Sequence, residues 1–132
     1  MKTIKALIVE DDFVSGKVMQ KMIAPIGKTE IASDGKKGVA MFEKALNEKE
    51  PYNIVFLDIM MPEMDGHEVL KNIRRIEEKN GILESVSVVI TSALGDFLNI
   101  KEAYREQCEF YLIKPIDKAK VMEVLKKIGV KS

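Results

Sequence analysis

Cysteine is almost absent from this sequence. Cys108 is the single one in 132 residues, so neither an intramolecular disulfide nor a cysteine-rich zinc site can form. Net charge is missing too. Twenty-one Lys and Arg cancel twenty-one Asp and Glu, which argues against a strongly basic nucleic-acid binder, and no direct nucleic-acid partner is expected. No stretch approaches the roughly 18 apolar residues of a membrane span, so insertion is not expected. The opening MKTIKALIVEDD has too short an apolar stretch for a signal peptide and runs straight into acids. Nor does a glycine-rich phosphate loop follow the first apolar run, which disfavours a flavin or nucleotide binder. What is present, 46% hydrophobic and 32% charged residues, suits one globular domain over residues 1–132. A reducing, cytoplasmic setting is the expectation.

Four runs read as buried strands: Ile4–Val9, Ile54–Leu57, Val86–Ile90 and Phe110–Ile113. They are nearly continuous in apolar residues and rich in Val and Ile, as in parallel strands covered on both faces. Thr29–Ala32 is weaker and reads as an edge. Helical patterns lie between them. Val14, Val18 and Met22 mark the first, Val39 to Leu46 the second, and Val69, Leu70, Ile73 and Ile76 the third. Phe97 to Tyr104 supplies a fourth, and Val121, Leu125 and Ile128 a fifth. Asp65 with Glu68 resembles a capping box, and Asp117 is placed to start the last helix. The order βα repeated five times predicts a five-stranded parallel sheet with helices on both faces, a (βα)5 flavodoxin-like three-layer α/β sandwich.

Ligands in such sheets sit beyond the carboxyl ends of the strands. The first strand ends in Glu10-Asp11-Asp12, the third in Asp58, the fourth in Thr91-Ser92 and the fifth in Lys114-Pro115. Ser33-Asp34-Gly35 after the edge strand reads as a turn. Asp58 stands out because Ile54-Val55-Phe56-Leu57 precede it and Ile59-Met60-Met61 follow. A buried unpaired carboxylate is strongly unfavourable, so its surroundings must compensate. Clustered carboxylates raise one another's pKa unless a cation is present. An oxygen-only cluster suits Mg²⁺, and Lys and Thr add donors for an anion. A hard cation, an anion site and a carboxylate between them suggest phosphoryl transfer onto that carboxylate.

The set VEDD, LDIMMPEMDG, VVITSA and YLIKPI resembles the receiver domain of bacterial two-component response regulators. The likeness runs from the first strand to the last helix, with all four motifs in order at strand ends. It implies that Asp58 is the phosphoacceptor, charged from the histidine of a sensor kinase or phosphotransfer protein. It implies Mg²⁺ held by Glu10, Asp11, Asp58 and the Met60 carbonyl. Thr91 matches the hydroxyl that hydrogen-bonds the phosphoryl group, Lys114 the ammonium that pairs with it, and Tyr111 the aromatic switch residue. The Lys114–Pro115 peptide is cis in such domains.

Several residues receive plainer readings. Asp12 is a candidate cap for the first helix, His67 reads as solvated with no role, and Met60, Met61 and Met64 read as packing around the loop. The leading function is a stand-alone receiver, similar to the chemotaxis regulator, that is not an enzyme beyond assisting its own phosphorylation and dephosphorylation. Its output would pass to a downstream protein through the face of the fourth helix, fifth strand and fifth helix, as a monomer or a phosphorylation-dependent dimer. A receiver cut from a larger regulator is the alternative. An aspartyl-nucleophile phosphatase of the haloacid-dehalogenase type is disfavoured, because those carry a second acid two residues after the nucleophile, where this chain has Met60.

Overall fold

Hydrophobic runs short enough for strands become five parallel strands in one sheet. A computed structural model of the chain describes residues 4–61, 63–93 and 108–128. Within them lie β1 (Ile4–Val9), β2 (Gly27–Ala32), β3 (Ile54–Asp58), β4 (Ser87–Ser92) and β5 (Phe110–Ile113), in the spatial order β2-β1-β3-β4-β5. The helices are α1 (Phe13–Ile23), α2 (Gly35–Asn47), α3 (Gly66–Lys79) and a last helix, Lys118–Ile128. The helix expected over 97–104 lies outside the described residues.

The alternation of side chains along each strand divides the core in two. Leu7, Val9, Val55, Leu57, Val88 and Ile90 pack with Phe42 of α2 and Leu70 and Ile73 of α3. Ile8, Ile54, Phe56 and Val89 pack on the other face with Met19 and Ile23 of α1 and Val121 and Leu125 of the last helix. Three layers follow, as expected. β4 begins at Ser87 and continues to Ser92, two residues past the expected end, because Asp58 and Thr91 still pair across β3 and β4. Asp34 does more than turn the chain, since its Oδ1 accepts the Lys37 N–H at 2.8 Å and caps α2. Asp65 and Asp117 likewise accept from Glu68 N at 3.1 Å and Lys120 N at 2.8 Å.

Three readings need correction. Asp12 occupies the N-cap position of α1, but no side-chain cap hydrogen bond forms. Its Oδ2 accepts instead from Ser15 Oγ at 2.5 Å, which occupies the oxygen a cap would use. Met60 is 58% exposed rather than packed, whereas Met61 is buried, because consecutive residues after a strand point to opposite sides. His67 is half-buried in the first turn of α3 rather than solvated.

Candidate functional site

Parallel register carries every strand end to one side of the sheet. Val9 pairs with Leu57, and Asp58 with Thr91, so the residues that follow β1 and β3 emerge side by side. Glu10, Asp58 and Thr91 are buried there, and Asp11 is exposed at the rim. A ligand oxygen of each of Glu10, Asp11 and Asp58 lies within 4.8 Å of the others. From the end of β5, the Lys114 ammonium reaches Glu10 Oε1 at 2.9 Å and Asp58 Oδ2 at 3.5 Å. The Lys114–Pro115 peptide is cis, as the resemblance implied. Asp58 Oδ1 also accepts the Met60 N–H at 3.2 Å, and Glu10 Oε2 the Asp12 N–H at 3.3 Å.

These contacts separate two carboxyl groups of the same chemistry. Burial pushes the Asp58 carboxyl up from 3.8 to about 7, and the hydrogen bond and negative charge of Glu10 add to the rise. Burial also pushes Glu10 upwards, but its hydrogen bonds to Asp58 and Lys114 and the ammonium's charge hold it below its ordinary value. Glu10 therefore carries the negative charge of the pair, and Asp58 holds the proton. The Lys114 ammonium loses by burial, yet its two carboxylate partners hold its pKa above the ordinary range.

Three carboxyl groups against one ammonium leave excess negative charge even with Asp58 protonated, and all the donors are oxygen. A hard divalent cation fits such a set better than a soft one. The Glu10–Lys114 pair, shorter than the contact between Lys114 and Asp58, was not visible in the sequence. Its partners are 104 residues apart, and only the meeting of β1 and β5 ends across the sheet brings them together. Tyr111 sits away from this cluster, 41% exposed on the edge strand.

The profile of the response regulator receiver domain family matches residues 6–126. The chain belongs to that family. It is 30% identical over 129 residues to a rice (Oryza sativa subsp. indica) protein named probable histidine kinase 2, covering 90% of this chain and 12% of that one. It is 29% identical over 125 residues to the chemotaxis protein CheY of Thermotoga maritima, covering 95% of this chain and 98% of CheY. A solved structure of the receiver domain of the Arabidopsis thaliana histidine kinase CKI1, complexed with Mg²⁺ and BeF₃⁻, superposes with a TM-score of 0.79. The identity there is 25%, over 97% of this chain and 91% of that one. The receiver thus spans only a small part of the histidine kinases it matches, and nearly all of CheY. It is a module of two-component, phosphorylation-dependent signalling. Among the described residues, no helix is long and apolar enough to cross a membrane.

Proposed function

We propose that this receiver accepts a phosphoryl group on Asp58 from the phosphohistidine of a sensor kinase or phosphotransfer protein, and that the product changes which downstream protein it binds. The observation that carries the reading is Asp58 itself: a carboxylate 4% exposed at a strand end, 3.5 Å from an ammonium and beside two further carboxylates. A structural carboxylate would not need that company.

With its proton released to solvent, the Asp58 carboxylate attacks phosphorus through Oδ2 as the phosphorus–nitrogen bond to the donor imidazole breaks, and the imidazole leaves with the bonding pair. Lys114, already paired with Glu10, stands ready to pair with the arriving phosphoryl oxygens. Thr91, register partner of Asp58, supplies a hydroxyl to the same group. The Met60 N–H steadies the other Asp58 oxygen and keeps the carboxylate oriented. Glu10, Asp11, Asp58 and the Met60 carbonyl would hold Mg²⁺, which supplies neutralisation of charge on the transferring group. Hydrolysis later returns the free carboxylate, with these groups assisting. The solved relative with Mg²⁺ and BeF₃⁻ bound supports the cation and the phosphoryl site.

Acetyl phosphate with Mg²⁺ tests this. Intact-mass spectrometry is expected to show one added phosphoryl group on the native protein and none on Asp58→Asn. Full labelling of Asp58→Asn at another residue would overturn the assignment.

A further inference from the structure

On the sheet face covered by α1, a cleft of about 510 Å³ opens between that helix and the segment Lys114–Ile116. The last helix begins only at Lys118, and none of its side chains lines the gap. Val14, Val18 and Met22 of α1 stand across from Pro115 and Ile116, over a floor that includes Phe56. The volume falls within the roughly 300–1,000 Å³ of small-molecule sites, and so does the lining, apolar walls with a few polar groups. Glu10, Thr91 and Lys114 supply the polar groups, all from the carboxyl ends of strands. Thr91 is the unexpected one. Strand alternation sets its side chain on the face of Val89, among apolar neighbours. It is 3% exposed, yet its hydroxyl makes no side-chain hydrogen bond among the described residues. A buried hydroxyl without a partner is costly, so a ligand that supplies one is favoured there.

We propose that this cleft binds a small organic cation, an ammonium on a compact apolar body, whose head excludes Mg²⁺ from the neighbouring carboxylates. The sign of the charge follows from what surrounds the polar end. Lys114 is already matched by Glu10 at 2.9 Å and Asp58 at 3.5 Å. An anionic head would have to displace a carboxylate to reach it. Glu10, in contrast, has ligand oxygens of Asp11 and Asp58 within 4.8 Å, and one ammonium leaves that cluster negative. A cationic head adds charge of the missing sign. Its N–H groups donate to the Glu10 carboxylate and to the Thr91 hydroxyl, whose oxygen accepts. The apolar body displaces water from between Val18 and Ile116, which a bare metal ion would leave wet. Head and metal ion need the same Glu10 carboxylate and repel each other, so one excludes the other. The exclusion rests on the Mg²⁺ site proposed above; the binding itself does not.

Calorimetric titration with 2-phenylethylamine tests the site, first without divalent cations. One amine is expected to bind per chain. Ethylamine, which lacks the apolar body, and 3-phenylpropionate, which carries a carboxylate in place of the ammonium, should each bind at least about tenfold more weakly. Thr91→Val keeps the shape and removes the hydroxyl, and should weaken the amine about tenfold. Val18→Trp fills the cleft from the half-exposed side of α1 and should abolish binding. Equal binding of the amine and the acid, no binding of the amine, or unchanged binding in Val18→Trp overturns the site. Mg²⁺ at ten times its own dissociation constant should then weaken the amine about tenfold. Amine affinity untouched by bound Mg²⁺ overturns the exclusion. If Mg²⁺ alone does not bind, the metal site falls and the exclusion with it, while the amine titrations still decide the cleft.

Discussion

Asp58 is a carboxyl group in a setting built for more positive charge than the protein provides. Its pKa of about 7 lies above its ordinary 3.8, so the folded protein keeps a proton that the unfolded chain releases. Between those two values the folded state binds more protons, and stability falls as pH rises. Asp58→Asn removes the penalty. Without divalent cations the variant should be more stable than the native protein at pH 8, by about 1–3 kcal/mol. Near pH 3, below the ordinary carboxyl value, the difference should vanish. Urea denaturation at the two pH values measures it, and a constant difference would refute the assigned proton. Lys114 shows the complementary case. Truncating it to Ala removes the ammonium shared by Glu10 and Asp58, so labelling by acetyl phosphate should slow at least tenfold if the ammonium supplies a typical share of charge stabilisation.

At the level of elements, the far end of the sheet is pinned by Arg74 of α3. Its guanidinium bonds Glu77 Oε1 at 2.7 Å, the Val86 carbonyl at 2.9 Å, and Glu109 at 2.7 and 3.0 Å. Glu77 Oε2 in turn accepts the Val86 N–H at 2.6 Å, so α3 grips the residue that precedes β4 and the one that precedes β5. Removing the shared cation strands the buried Glu77 carboxylate, and Arg74→Ala should cost about 3–5 kcal/mol. The folded fraction should still be labelled at Asp58, because the cluster lies at the opposite strand ends. Thermal denaturation and intact mass together check both halves. None of this was legible in the sequence, since Arg74 and Glu109 are 35 residues apart and neither interrupts an apolar pattern. The strands were legible because both faces are covered and their apolar runs are unbroken. β2 was read two residues short, its burial alternating as an edge strand's does. Position along α1 was legible, but its orientation was not. Val14 and Val18 keep helical spacing while facing outward, and spacing alone does not distinguish a core stripe from an exposed one. The surplus was visible, however: Phe13, Val14, Val18, Met19, Met22 and Ile23 are more apolar residues than one face holds.

At the scale of the whole molecule, cation binding, protonation and folding are linked through the same three carboxylates. The candidate site was legible because its members end strands that the fold must align, and opaque where a long side chain crosses between ends, as Lys114 does to Glu10. A cation that binds the folded state alone stabilises it, by about 1.4 kcal/mol at ten times its dissociation constant. Mg²⁺ should therefore raise the melting temperature of the native protein, and Asp11→Asn should largely lose that rise while keeping the fold, since Asp11 is exposed and supports no core contact. The cation also competes with the Asp58 proton, because a carboxylate ligand must be deprotonated. Above pH 7 the proton is already gone and the affinity should be level. Below it, each bound cation displaces one proton, so the affinity should fall towards tenfold for each pH unit. Calorimetric titration at pH 8 and pH 6 in two buffers of different ionisation enthalpy measures both quantities. The expected result is binding about tenfold weaker at pH 6, with close to one proton released there and almost none at pH 8. Affinity unchanged between the two would mean that Asp58 is ionised throughout, and that burial and Glu10 do not hold its proton against the opposing charge of Lys114.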